Sequence, residues 1–401
     1  MVILACVAAG LLLQRAYGVS TLAASLAAVR DWHAGGRLTA PLTAPAAVLV
    51  SPLCLLPLGA AALLVAATGV MSLLLSLIAL AGPVARRYGR PRFPAVLAAL
   101  ALALLAAPVR ATLGLGCLDL ILFGLITADV IALRRSAWAR SRATWWPDRS
   151  SSRLRKIWAT GAWAGFGTGI ATAVAIGPCL FIVYFAVTRQ WRAAVTATVT
   201  ALTLLGAALL VAPGPAPILP GLARSGPFDV PDNQSLAGVL ARLYESTSTP
   251  VLIWLSFAGL LIAVGMIRAR SAHTDGDEIT AFTLIGLTGA AVGPVSRVHS
   301  LIWLLPAVLI LVDAAARRWV IIRRPQTRRF PGAGFAAAAL LTYVMLVAGP
   351  RWMVGWNGYA FILILLLNSL PWRPGVAPAV PVRRRPQPIR QAPAIPGPRG
   401  R

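Results

Sequence analysis

Apolar runs recur from one end of the chain to the other, interrupted by short polar segments. They lie near 58–82, 94–107, 118–133, 157–176, 193–212, 250–268, 280–293, 300–315, 334–349 and 357–370, with shorter runs at 1–13 and 178–188. A helix needs roughly 20 predominantly apolar residues to cross a bilayer. Several runs are shorter, so tilt, local thinning or re-entrant geometry belongs to the expectation. The pattern predicts an all-α polytopic membrane protein, a bundle of about 10–12 transmembrane or re-entrant helices over residues 1–370. From about Pro371 the text changes to "PWRPGVAPAVPVRRRPQPIRQAPAIPGPRGR". This is too poor in apolar bulk to fold, and it reads as a disordered basic tail, 371–401, beside anionic head groups.

Composition sharpens the picture: 58% of the 401 residues are hydrophobic, 12% are charged, and the formal net charge is +26. A surplus that large raises the question of a nucleic-acid partner, which the placement of the basic residues answers. Arg86 to Arg92 holds four, Arg134 to Lys156 eight, Arg189 with Arg192 two, Arg268 with Arg270 two, Arg317 to Arg329 six and Arg373 to Arg401 seven, together 29 of 37. Threading the runs alternately, with 157–176 and 178–188 as a hairpin, puts all six segments on one side, which the positive-inside rule makes cytoplasmic. Both termini then lie in the cytoplasm, and the charge needs no nucleic acid to explain it. The opposite side receives 14–57, 108–117, the Gly177-Pro178 turn, 213–249, 293–299 and 350–356.

The polar residues of that opposite side are the candidate chemistry. Arg297 and His299, in "GPVSRVHSLIWLLP", stand at the mouth of the bundle beside "PVRATLGLG" from Pro108 and "DVPDNQSL" from Asp229. Ionisable groups at a membrane rim mark a functional path or pocket by default, although a single His also serves as a cap or interfacial anchor. Asp232 with Asn233 and Ser235 reads equally well as a cap for the helix "SLAGVLARL". Cys6, Cys54, Cys117 and Cys179 show no paired spacing of the zinc type, so no metal is expected. No nucleotide-binding glycine loop, Gly-x-Ser-x-Gly elbow or inverted repeat is present.

Four stretches in order carry a resemblance: "PVRATLGLG…LDLILFGLITADVIALRR", "GIATAVAIGPCLFIVYFAVTRQWRAA", "DNQSLAGVLARL" and "LIGLTGAAVGPVSRVHSLIWLLP". Together, from about Tyr17 to Pro306, they resemble glycosyltransferase family 87. The resemblance implies a GT-C-type bundle with an outer-face cavity, acting at the plasma membrane without cofactor or metal. It further implies that mannose is taken from polyprenyl-phosphate-mannose, with inversion, and passed to an envelope glycolipid or lipoglycan acceptor. A sugar on a lipid phosphate already has a good leaving group. Cations to steady the phosphate and one carboxylate to accept the hydroxyl proton are what the chemistry requires. On this reading Arg110, Arg297 and His299 face the phosphate, while Asp232, Asn233 and Gln234 shape the outer loop and meet sugar hydroxyls.

The chain departs from the family pattern where chemistry is concentrated. The family's early Asp is replaced by Ser20 or Thr21, its Tyr-Pro-Pro by "TAPA" at Thr43 to Ala46, and its Glu before Pro-Val by Ala107. Cys117 and Asp119 stand for its Gln and Asn, Ala175 for its Lys, Arg297 for its Trp, and Ser300 for the second His of its pair. One reading is a rewired mannosyltransferase with Asp31 or Asp232 as base; Asp119 is set aside because burial at a helix start is expected to keep it protonated. A second is a catalytically degenerate relative kept as a membrane scaffold or lipid-binding partner. A polyprenyl-lipid flippase is weaker, since the middles of the apolar runs are read as lacking charged residues that line a path.

Overall fold

The computed structural model describes residues 2–38, 42–143, 160–211, 229–245, 250–321, 332–349 and 351–373. Among them every regular element is helical. The basic stretches 144–159 and 322–331, most of the loop 213–249 and the tail from 374 lie outside the described residues.

Helices α1 (Val2–Tyr17) and α4 (Leu58–Arg87) pack side by side, with Gln14 Nε2 donating to the Ala62 carbonyl at 2.7 Å. The intervening segment, expected as an outer loop, is largely helical: α2 (Ser20–His33), α3 (Ala44–Val50) and a 3-10 turn, Ser51–Leu55. Leu22, Leu26, Val29 and Trp32 form the stripe of an amphipathic helix on α2 and bury it against Ala46, Ala47 and Val50 of α3 and Ala61 and Val65 of α4. Each fully buried side chain of this size contributes about 1.5–3 kcal/mol, which is what fastens the segment to the bundle. Thr43 ties it further, accepting from the Ala46 N–H and donating to the Ala173 carbonyl, both at 3.0 Å.

α5 (Arg92–Leu105) and α6 (Ala107–Leu115) meet at a 70° bend. Ala106 is extended there, and Pro108, which lacks an N–H, falls in the first turn of α6, where that lack is harmless. Then follow α7 (Asp119–Ala143), α8 (Phe166–Val174), α9 (Cys179–Val187), α10 (Trp191–Val211), α11 (Leu236–Leu243), α12 (Val251–Thr274) and α13 (Glu278–Val292). A 3-10 turn, Val298–Trp303, leads into α14 (Leu304–Ile321), and α15 (Ala333–Ala348), α16 (Arg351–Gly355) and α17 (Gly358–Ser369) complete the bundle.

Among the described residues four helical units are long and apolar enough to cross a membrane, five if the bent α5–α6 pair is one span; α13, α15 and α17 are shorter apolar helices. In α10 only 17% of the apolar window is buried, and Leu202 and Val195 stand in the open. Apolar surface exposed on this scale is stable only against lipid, so the chain is a multi-pass membrane protein.

The helices order the bundle into two ends. At one, Asp313 of α14 accepts from Arg373 at 2.8 Å and Tyr88 at 3.1 Å and pairs with Arg317 at 3.2 Å. Asp275 accepts from Trp372 Nε1 at 2.8 Å and Asp277 from the Arg373 backbone N–H at 3.1 Å. The first residues of the expected tail, Pro371–Arg373, are thus strapped to this basic end. At the other end lie the segments 108–119, 229–235, 293–299 and 351–357, which contact one another.

Two apolar runs do contain a carboxylate, against the reading that their middles are uncharged. One is Asp313. The other is Asp129, fully buried in α7, which accepts from the backbone N–H groups of Gly167 (3.3 Å) and Thr168 (2.6 Å) at the start of α8. A Cβ at 167 would sit 2.3 Å from the Leu125 carbonyl, so glycine allows the approach. Asp129 caps a neighbouring helix, where the dipole favours an anion, and lines no path.

Candidate functional site

The site is built on the turn between α6 and α7. Gly116 ends α6 in the left-handed region (φ 75°). A Cβ there would meet that of Leu22 at 2.7 Å, and the Val19 N–H donates to the Gly114 carbonyl at 3.2 Å. The glycines of "TLGLG" therefore let the start of α2 lie flat on this turn. Thr21, facing it, hydrogen-bonds the Cys117 thiol. Two residues on, Asp119 opens α7.

His299 arrives from the 3-10 turn. Its carbonyl accepts from Thr112 Oγ1 of α6 at 3.3 Å, and its Nδ1 lies 3.0 Å from Asp119 Oδ2. The two side chains keep 21% and 26% of their surface open, so the pair is sheltered yet reachable. Cys117 Sγ, an Asp119 oxygen and a His299 nitrogen fall within 4.8 Å of one another. Burial, then the neighbouring Asp119 charge, pushes the Cys117 thiol up to about 12. In the structure the trio is joined by the His299–Asp119 contact, and its donor set, a thiol, a carboxylate and an imidazole, is also one that a metal ion could take. Arg297, exposed, extends beside it, close enough to act electrostatically on both His299 and Cys117. Its guanidinium has no ion-pair partner among the described residues.

The loop carrying Arg297 and His299 is held by "DNQSL". Asn233 Oδ1 accepts from the Ser235 N–H (3.2 Å), Ser235 Oγ (2.9 Å) and the Ser296 N–H (3.1 Å), while Nδ2 donates to the Pro294 carbonyl at 3.2 Å. The Gln234 N–H donates to the Ser296 carbonyl at 2.7 Å, and its Nε2 reaches the carbonyls of Pro231 and Val354 at 2.8 and 2.9 Å. Both side chains are buried. They clamp backbone to backbone, and Gln234 Oε1 is a buried acceptor with no hydrogen-bond partner among the described residues.

Of the residues singled out from sequence, the structure brings together Arg297 and His299 and holds them through Asn233 and Gln234. Arg110 is elsewhere: it donates to the Val347 carbonyl at 2.8 Å, capping the end of α15. Asp232 is exposed, and the cap of α11 is Ser235, whose Oγ accepts from the Gly238 N–H at 3.2 Å. Asp31 is exposed near the far end of α2. Ten residues of helix separate it from Thr21, about 15 Å at 1.5 Å each, so no loop movement carries it to the pocket, because 20–33 is not a loop. Asp119 was the residue sequence reasoning discarded. Its partner lies 180 positions away, and a carboxylate that meets an imidazole is not the isolated buried acid assumed.

A groove of about 570 Å³ lies away from this site between α14, α15 and α17; it is apolar, with Arg318 at one end.

The profile of glycosyltransferase family 87 matches residues 43–294. A polyprenol-phosphate-mannose-dependent alpha-(1-2)-phosphatidylinositol mannoside mannosyltransferase of Mycobacterium tuberculosis is 27% identical over 297 residues, covering 70% of this chain and 64% of that protein. A pentamannoside mannosyltransferase of the same dependence and organism is 27% identical over 239 residues, 55% of this chain and 53% of that protein. A phosphatidylinositol mannoside mannosyltransferase of Mycolicibacterium smegmatis is 28% identical over 225 residues, covering 53% of this chain and 45% of its own length. The chain thus spans between about half and two thirds of the length of these relatives, and no solved structure matches it. The matched stretch spans more than half of the chain and contains the α6–α7 turn and the Asn233–Gln234 side of the clamp, with Arg297 and His299 just beyond it; the chain belongs to glycosyltransferase family 87.

Proposed function

We propose that this protein transfers mannose from polyprenyl-phosphate-mannose to a glycolipid acceptor of the phosphatidylinositol mannoside class, at the outer face of the plasma membrane. The relatives' donor supports the first half and their acceptors the second. The observation that carries the reading is the unpaired Arg297 guanidinium beside the half-open His299–Asp119 pair, at the end opposite the basic cluster. A free cation at a membrane rim suits a lipid phosphate that gains charge as its sugar leaves. The positive-inside rule gives the basic end to the cytoplasm and the site to the outside.

A catalytically silent scaffold is the competing reading, favoured by Ala107 and Ala175, which carry no chemistry. Membranes containing only this protein, given radiolabelled polyprenyl-phosphate-mannose and a panel of phosphatidylinositol mannosides, separate the two. Labelled product above empty membranes is expected. None across the panel leaves the scaffold.

A further inference from the structure

Transfer to a hydroxyl requires a group that removes its proton, within about 2.6–3.2 Å or through one water. The chain has 11 acidic residues. Asp275, Asp277, Glu278 and Asp313 belong to the basic end, Asp129 is sealed against α8, and Asp148 lies outside the described residues. Asp229, Asp232 and Glu245 flank α11 at the other end, where the backbone clamp, not a carboxylate, faces the His299 loop. Asp31 is a helix length away. One acid remains that touches the cluster.

Resting on the transfer reading above, we propose that Asp119 is the general base, presented from the α6–α7 turn into the space that Thr21 faces from α2. Its Oδ2 is engaged by His299 Nδ1 and its own backbone N–H also supports the carboxylate, so Oδ1, the oxygen His299 does not hold, is the one assigned to receive the proton. His299 from the 3-10 turn acts on it directly and Cys117 from its own turn shares the cluster, while Arg297 from the loop before His299 acts on His299 and Cys117, and Thr21 of α2 on Cys117. Cys117 keeps its proton at any ordinary pH and does not compete. In the step, the acceptor oxygen forms a bond to the anomeric carbon and its proton passes to Asp119. The bond from that carbon to the phosphate oxygen breaks, and its electron pair leaves on the polyprenyl phosphate, beside Arg297. His299 is a positioning residue: it holds the carboxylate and keeps it anionic until the proton arrives.

The same geometry says where a carboxylate can be moved. Thr21 contacts the thiol two residues before Asp119, so an acid at position 21 enters the same space from the opposite wall.

The test uses the full chain in lipid nanodiscs, with labelled polyprenyl-phosphate-mannose and the acceptor used most readily by the unmodified protein. Asp119→Asn is expected to reduce turnover at least about a hundredfold, the scale of losing a general base, with donor binding unchanged within about twofold. Thr21→Asp in that background is expected to recover at least about a tenth of the turnover, with a shifted acidic limb of the pH–rate profile. A merely structural Asp119 would not be rescued from position 21, nor would its loss leave donor binding intact. Asp119→Asn with full turnover overturns the proposal and leaves the transfer reading standing, as does failure of Thr21→Asp to rescue a folded Asp119→Asn protein. Loss of wild-type turnover in chelator, restored by zinc, overturns it in favour of a metal held by Cys117, Asp119 and His299. No transfer by the unmodified protein overturns both readings together.

Discussion

Replacing Asn233 with Ala removes the side chain that makes two of the hydrogen bonds between the α11 loop and the loop carrying Arg297 and His299. Two buried N–H groups, of Ser235 and Ser296, lose their acceptor, whereas the Pro294 carbonyl keeps Ser235 Oγ at 3.1 Å. Each orphaned donor costs about 1–3 kcal/mol, so the variant is expected to lose about 2–6 kcal/mol less whatever water recovers. Asn233→Asp keeps an acceptor oxygen for the two N–H groups but buries a carboxylate with one oxygen against the Pro294 carbonyl, so it too should destabilise the protein. The functional effect follows from position rather than contact: a displacement of the loop by about 1 Å is enough to reduce turnover by about a hundredfold. Thermal unfolding in detergent and mannose transfer in membranes measure the two effects on the same preparations. Wild-type stability and turnover in Asn233→Ala would refute the clamp. Loss of transfer with stability intact, together with weakened acceptor binding, would show that Asn233 meets sugar after all.

Arg297→Ala is expected to weaken binding of polyprenyl phosphate about tenfold to a hundredfold, from the 1.5–3 kcal/mol or so of a charge-assisted contact, and to flatten its salt dependence; unchanged affinity would make Arg297 a rim charge. Because its thiol stays protonated until about pH 12, Cys117 should resist alkylation by iodoacetamide at pH 8 in the folded protein and react only on unfolding, and rapid labelling of the native protein would contradict its burial. Reporters active only in the cytoplasm should work after Arg140, after Arg324 and at the C-terminus and fail after Gly226 or within Asp229 to Gln234; activity at Gly226 would invert the bundle.

What the sequence made legible follows from how locally each feature is encoded. Apolar runs announce spans because lipid tolerates nothing else over that length, so the architecture and the grouping of polar loops were readable, and the "GPVSRVHS" stretch stood out as a rim. The segment 14–57 was harder: α2 shows its stripe of Leu22, Leu26, Val29 and Trp32 only to a reader who already knows that a helical surface lies beneath it. At the site, Asn233 and Gln234 have the chemistry of sugar-binding side chains, and it is burial, a tertiary fact, that turns most of their hydrogen bonds to backbone. Arg110 likewise found a helix end rather than a phosphate, 237 positions along the chain. Asp119 was weighed alone and dismissed, since nothing near it in sequence announces an imidazole.

On the transfer reading, the bend between α5 and α6 bears on how deep the chemistry would sit. The 14 residues of α5 rise about 21 Å, short of the roughly 30 Å of a bilayer's hydrocarbon layer, before the chain turns through 70° and α6 runs sideways as a floor. The turn bearing Cys117 and Asp119 lies at the far edge of that floor; with α5 upright from the inner edge of the hydrocarbon layer, it would lie up to about 9 Å below that layer's outer edge. A substrate swimming free in water would have to descend to meet them, whereas one whose phosphate already rides on a membrane-embedded tail needs only to sink a little along its own axis. On that reading a short α5 would favour substrates that bring their own anchor, by length alone, before any side chain has touched a sugar.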